Sequence, residues 1–473
     1  MLAAPLTVEA STWYVDFPTG QDTNVGTSAT QPWQTLDKVN ATRFQPGDRI
    51  LFRAGQTWTG QLAPKSSGLE GAPIVIDRYG AGPKPRIDGQ GRVQDVVRLY
   101  NVQQIQVHNL EVTNHGAAPA KRIGVHIFLD NFGTANHIVI AGLYIHDVNG
   151  TNGSGDNSKD NGGIIFRTVG DKVPSRFDGL IIERNLIRTV DRSGIAADSY
   201  HWPRTRWFPS LHVVIRDNYV DDVGGDGIVP WATDGALVEH NIVRNCNRRA
   251  GSYNAGIWPW STDNSLFQLN EASLTRTTLD GEGFDSDFNS RNTLFQYNYS
   301  HDNEGGFMLI CTPGKSNPRE NIGNTGTEIR YNISRNDRAR GFNLSGGVEH
   351  TSVHDNAIYV GHGIDLQLLL VSQWDGWPSD AVFRNNAVWS DGGIVSYGHQ
   401  VKRNADGAYV IAPGWGEATG IVFDPRQIVS TNPPSIDWNE PQFNSFDEFM
   451  TAHRAWMLRL IEQQFGKPVK LGR

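Results

Sequence analysis

Residues 239–300 read EHNIVRNCNRRAGSYNAGIWPWSTDNSLFQLNEASLTRTTLDGEGFDSDFNSRNTLFQYNYS, and one phrase returns in them three times: Asn241, Asn270 and Asn298 each open a short strand-like segment. Outward from this stretch the phrase continues as ERNLI and RDNYV at Asn185 and Asn218, and as RYNIS, HDNAI and RNNAV at Asn332, Asn356 and Asn386. Successive gaps run from 23 to 34 residues, so the repeating unit is one coil of chain with loops of variable length. Weaker copies lie upstream, VHNLEV at Asn109 and IAGLYI near Gly142. A second marker, Gly followed by an apolar residue, interleaves with the first at Gly163, Gly194, Gly227, Gly256, Gly283, Gly306, Gly341, Gly363 and Gly393.

A unit of short strands rich in Val, Ile, Phe and Tyr, separated by Asn, Asp and Gly turns, cannot bury its apolar face alone. Stacking units at ~4.8 Å pairs each backbone group with the coils above and below and closes one continuous core. The pattern predicts an all-β protein, a right-handed parallel β-helix. Its Asn residues should stack as a ladder at equivalent turns, their own backbone taking the left-handed region. Ile195, Ile228, Ile257, Phe284 and Phe307, each directly after its Gly, are expected to point inward. Leucine-rich repeats and propeller blades have frameworks that are missing here.

The composition fits many turns and little helix: Gly (51) and Pro (23) exceed their usual share, while 14 Trp, 20 Phe and 13 Tyr leave ample apolar surface to bury. A net charge of -8 gives no basic footprint for nucleic acid, and no run of about eighteen apolar residues reads as a membrane span. Residues 1–11, MLAAPLTVEAS, do not form a signal peptide by themselves. Cys246 and Cys311 are too few for a disulfide framework and lack zinc spacing, so both read as small buried hydrophobes. DNSKD places Asp156, Ser158 and Asp160 like calcium ligands, yet Arg167 stands where an EF-hand needs Glu; a solvated loop is the reading. No metal and no cofactor is expected.

The ends read as caps. WYVDFPTGQDTNVGTSATQPWQTLDKVN followed by FQPGDRILFRAGQTW sets Trp33, Leu36 and Val39 on one helical face, as a short helix closing the first coil would need. At the other end Ser445 and Glu448 have capping-box spacing before Phe446, Phe449, Met450, Trp456, Met457, Leu460 and Ile461, with Gly466 as the stop. This predicts an amphipathic helix over 446–465 in a C-terminal extension, 426–473, covering the last coil or the side of the solenoid. The opening segment, taken with the coils, resembles the pectin-lyase-like superfamily over residues 12–425. That resemblance implies the β-helix fold, a carbohydrate substrate and work outside the cytoplasm, secreted or periplasmic. It leaves the reaction open, since the superfamily includes lyases, hydrolases, epimerases, esterases and tailspikes. GFDSDFNSRNTLFQYNYSHDNEGGFMLIC in addition resembles bacterial β-helix proteins that look like glycosidases.

Alternation after each Gly sends the second and fourth residues outward. Coil by coil these are Ile165 and Arg167, Ala196 and Asp198, Val229 and Trp231, Trp258 and Trp260, Asp285 and Asp287, Met308 and Ile310, then Asn343 and Ser345. Two coils of outward Trp thus border paired carboxylates. Flat indoles match the apolar faces of sugar rings, so Trp231, Trp258 and Trp260 read as a sugar groove, or else as a side core under loops. Trp202, Trp207 and Trp374 are candidates for its walls, and His201 and His301 for sugar hydroxyls. Asp285 and Asp287, two apart on one strand face, are the first candidates for acid and base; Asp226, Asp198 and Glu304 lie close enough in the repeat to supply further acids. Repulsion between paired acids pushes their pKa values apart, as acid–base chemistry requires. Glycoside hydrolysis is the preferred reading. A polysaccharide lyase, for which Arg167 beside Asp198 would neutralise a uronate, and a glycan-binding or tailspike-like protein without turnover are the alternatives.

Overall fold

The computed structural model describes residues 10–153, 159–277, 279–313, 319–396, 401–403, 409–411, 418–423, 429–430 and 432–472. The chain winds into a parallel β-helix with three sheet faces, coil pairing to coil in parallel register. Among the described residues, antiparallel pairing between named strands occurs only near the C-terminal end of the solenoid, where Tyr409–Ile411 pairs with Val401–Arg403 and Val422–Phe423. One core runs down the axis, from Val15 and Trp33 to Val388 and Ile421, and it includes Ile195, Ile228, Ile257, Phe284 and Phe307.

The Asn residues form the ladder. Each Oδ1 of Asn218, Asn241, Asn270, Asn298, Asn332, Asn356 and Asn386 accepts both the backbone N–H and the Nδ2–H of the Asn one coil before it, at 2.8–3.2 Å. A second Nδ2 hydrogen bond goes to a core carbonyl, Phe267 for Asn298. One detail differs from expectation. The left-handed residue is the one before each Asn: Arg184, Asp217, His240, Leu269, Tyr297, Tyr331, Asp355 and Asn385 have φ of 49–58°. The bend falls there because the Asn itself must turn its amide into the column. The Gly marker has a steric cause: a Cβ on Gly163, Gly194, Gly227 or Gly256 would lie 2.4–2.6 Å from the carbonyl oxygen of the next coil's Gly.

The first coil is closed by α1 (Leu36–Ala41), capped by the Thr35 hydroxyl, with Trp33 stacked on Trp13 at 4.6 Å. The second helix, α2 (Phe446–Phe465), lies along the side of the solenoid and not over its end. Phe449 and Met450 pack on Tyr219 and Ile242, while Trp456, Met457, Leu460 and Ile461 pack on Tyr299, Ile333 and Ala357. The Ser445 side chain makes no cap hydrogen bond, so the capping box does not form, whereas Gly466 ends the helix left-handed at φ 64°. Among the described residues no helix is long and apolar enough to cross a membrane.

The third sheet is split. Strands from Asp95–Tyr100 to Asp226–Val229 form one part and strands from Glu282–Ser286 to Ile394–Ser396 the other. Only single bridges, Ile228 to Ile257 and Ile257 to Phe284, join them. The break falls at Trp258-Pro259-Trp260, where Pro259 has no N–H to give the ladder. The candidate site is at this break.

Candidate active site

Asp285 ends up outward, as the alternation requires, but the next coil is offset by one residue. Glu282 pairs with Gly306, Phe284 with Met308 and Asp285 with Leu309. Met308 and Ile310, expected outward, are therefore fully buried in the core, and Leu309 and Cys311 take the outward places. The cause is that Phe307, not Gly306, occupies the place of the column glycine, so counting from Gly306 slips the register. After this coil the alternation resumes, with Phe342 and Leu344 inside and Asn343 and Ser345 outside.

These outward residues floor a cavity of about 610 Å³. Asp280, Asp285, Asp287, Cys311 and Asn343 lie on its floor, with Lys159, Trp258, Trp260, Phe288, Arg340 and Trp374 around them. Tyr253, Leu279 and Trp374 at the rim are 62%, 49% and 43% exposed, far more than apolar side chains in a closed side core would be.

Three carboxyls share this floor. Asp285 is 3% exposed, whereas Asp280 and Asp287 are half-buried and open to the cavity. Burial, then the charges of Asp287, Asp280 and Glu282, push the Asp285 carboxyl well above the carboxylate range. Burial and the charges of Glu282 and Asp287 do the same to Asp280. Asp287 is raised by burial only to about 6, because the Cys311 thiol, the Phe288 N–H and the Lys159 ammonium favour its charged form. Beneath them Glu282, fully buried 3.2 Å from Arg340, is raised by burial to about 7. Burial and like charges thus disfavour the charged form at Asp280 and Asp285, while the Cys311 thiol, the Phe288 N–H and Lys159 make Asp287 the carboxyl of the floor whose charged form is best supported. Arg340 also donates to the backbone carbonyls of Asp280, at 2.6 Å, and Gly305, at 2.8 Å, fixing the turn that carries Asp280.

The Trp residues divide. Trp258 is held by its Nε1–H donating to Asp226 at 2.9 Å. Trp231 stacks on Trp260 at 4.1 Å, and Trp202 and Phe288 lean on the other side of Trp260. The loop bearing Trp202 is pinned by Arg204, which grips Asp263 through two hydrogen bonds and lies 4.0 Å over Trp207. Trp231, Trp202 and Trp207 thus form a side core that braces Trp260, while Trp258, Trp260 and Trp374 line the cavity.

Other candidates stand apart from the cavity. Asp226 is fully buried behind Trp258, paired with Lys159 at 2.8 Å and Arg192 at 3.3 Å. Asp198 pairs with Arg167 at 3.0 Å in the upper part of the split sheet. Glu304 caps the Thr277 N–H and pairs with Arg276 at a surface turn. His201 is buried, its Nε2 accepting the Ser175 N–H. His301 lies on the α2 side between Glu271 and Asp302, whose hydrogen bonds outweigh desolvation and raise it to about 9. The calcium-like positions Asp156 and Ser158 fall outside the described residues.

Two clusters hold metal-type ligand atoms within 4.8 Å of one another: Asp285, Asp287 and Cys311, and Glu271, Glu440 and His453. The second is spanned by the Arg244 guanidinium, 2.6 Å from Glu271 and also bonded to Glu440, so a cationic side chain already bridges its two carboxylates.

Fold and floor together define a parallel β-helix with an acid-floored, aromatic-walled cavity. No family model matches the chain. A lacto-N-biosidase from Bifidobacterium longum subsp. longum is 29% identical over 481 residues, covering 81% of this chain and 29% of that protein. The chain thus spans under a third of the length of that curated relative. Two crystal structures of a GH136 lacto-N-biosidase from Eubacterium ramulus, native and selenomethionine forms, match with a TM-score of 0.69 at 28% identity, over 80% of this chain and 68% of theirs.

Proposed function

We propose that the protein is a glycoside hydrolase that cleaves lacto-N-biosides. The feature that carries this reading is the placing of two carboxyls in unlike surroundings, Asp287 with donors to its charged form and Asp280 with burial and like charges against it, both open to a cavity with indole walls. Asp280 gives its proton to the glycosidic oxygen as the C–O bond breaks, and Asp287 meets the positive charge that grows on the anomeric carbon. Asp285 is closed off from the sugar and shares the cluster's charge from below. A lyase reading is weaker, because Lys159 and Arg340, the cations lining the cavity, are each paired with a carboxylate, Asp226 and Glu282.

Incubation with p-nitrophenyl lacto-N-bioside and with a panel of neutral and uronate-containing glycans tests the proposal. Release of p-nitrophenol, and new reducing ends on a neutral glycan, are expected. The ultraviolet absorbance of an unsaturated uronate would instead mean elimination, and binding without products would sink the enzyme reading. Trp374→Ala is expected to raise KM about fivefold to tenfold with kcat changed less than about twofold, since stacking holds ground state and transition state alike. Trp374 is the informative choice because it is exposed, whereas Trp260 also supports Trp231.

A further inference from the structure

Cys311 has no part in the chemistry proposed above, yet its thiol is one of two donors to Asp287 Oδ1. The one-residue slip after Glu282–Ser286 turns it outward, directly across from Asp287. Its Sγ lies 3.1 Å from Asp287 Oδ1 and 3.9 Å from Asp285 Oδ1. The Phe288 N–H reaches the same Oδ1 at 2.6 Å. Oδ1 therefore receives two donors, while Oδ2 of Asp287 receives no hydrogen bond among the described residues. A buried Cys with no such neighbour would be a packing residue; this one lies within reach of two carboxyls, Asp287 the nearer.

We propose that Cys311 is a positioning residue, whose S–H donated to Asp287 Oδ1 singles out Asp287 as the carboxylate of the floor and leaves Oδ2 to face the sugar. The inference rests on the hydrolase reading of the same cavity. The thiol suits the task because it stays protonated: burial and the charges of Asp285, Asp287 and Asp280 hold its pKa well above the ordinary thiol value. It is thus a neutral donor that adds no charge to a crowded acidic floor. A hydrogen bond given to the charged form of an acid favours that form. The other groups acting on Asp287 are Asp226, Asp280 and Asp285, which oppose its ionisation, and the Phe288 N–H and Lys159, which support it. Asp280 and Asp285 belong to the same cluster, and both are held well above the usual range. The thiol acts on Asp287 together with the Phe288 N–H and Lys159, and it is the side-chain donor among them in contact with Oδ1.

The test is the pH profile of kcat/KM on p-nitrophenyl lacto-N-bioside for wild type, Cys311→Ala and Cys311→Ser. Loss of the donor should move the acidic limb up by about half to one pH unit, and serine, which restores a donor, should bring it back to or below the wild-type position. A purely structural role would lower rates equally at every pH. An unmoved limb in the alanine variant, or a serine variant that follows alanine, overturns the proposal. If alanine does not fold, Cys311→Val, closer in volume, takes its place. A second readout needs no turnover: in a thermal double-mutant cycle of Cys311→Ala with Asp287→Asn, the shifts should be non-additive at pH 8 and additive at pH 4. Additivity at both pH values rejects the role of Cys311 whatever the substrate proves to be, while failure of wild type to cleave the probe rejects only the hydrolase reading.

Discussion

Asp287→Asn is expected to lower kcat/KM about a thousandfold or more, on the p-nitrophenyl substrate and on oligosaccharides alike. The lost charge faces the sugar in every step, and no leaving group can replace it. Asp280→Asn should behave differently: a comparable loss on an oligosaccharide, whose leaving oxygen needs a proton, and a much smaller one on p-nitrophenyl lacto-N-bioside, whose leaving group departs without help. If both variants lose equally on both substrates, the assignment of acid and base fails. Folding should survive Asp287→Asn. The folded-state pKa of Asp287, about 6, is above its unfolded value, so the stability this group contributes is complete below about pH 4 and is lost as pH rises through 6. Removing the charge should raise Tm at pH 7.5, with a gain that shrinks to nothing near pH 4. A Tm gain that persists at pH 4 would show that packing, not charge, explains it.

Asn298→Ala is expected to cost about 4 kcal/mol of stability, among the largest effects for a residue far from the site. The side chain accepts from the backbone N–H and Nδ2–H of Asn270 and donates to Phe267 O and Asn332 Oδ1, and every one of these groups is buried. Each orphaned buried group costs about 1–3 kcal/mol, and water has no room to replace the amide in a closed column. Denaturant unfolding of the variant measures this. A loss below about 1 kcal/mol would mean that the ladder follows from coil stacking and does little to hold it.

The coil count and the inside of the solenoid were legible because the Asn phrase and the apolar residues after Gly recur with the structure's own period. What the phrase could not say was which of two adjacent residues takes the bend, since Asn tolerates a left-handed backbone and the residues that adopt it include Leu269, Tyr297 and Tyr331. Asp285 and Asp287 were found on the outward face by alternation alone. Cys311 was not, because alternation counts from a fixed origin and Phe307 moves that origin by one. Asp280 was passed over although LDGEGFDSD holds four acids within eight residues, since it precedes the strand and so falls outside the alternation that picked Asp285 and Asp287. Lys159 was invisible for another reason: it reaches the site from 95 residues before its partner Asn254, a contact that only the closed fold creates. His201 and His301 were misplaced because proximity along the chain was read as proximity in space.

The placement of α2 along the flank has a consequence for how this protein can change length. Phe449 meets Tyr219, and Gln464 accepts the Tyr359 hydroxyl five coil steps further on. Five steps at the strand spacing of ~4.8 Å make about 24 Å. Fifteen residues of helix at ~1.5 Å make about 22 Å. The two rulers agree, so the helix measures out the coils beneath it. Solenoids commonly grow or shrink by duplicating or dropping a whole repeat, an edit that leaves nearest-neighbour stacking intact. Here such an edit between Tyr219 and Tyr359 would put the helix out of step by one coil, and Trp456 and Leu460 would face turns in place of their seats. Duplication is free only outside this span. The acidic floor lies inside it, and so the distance from the floor to the flanking helix is held constant by a gauge that does not itself line the cavity.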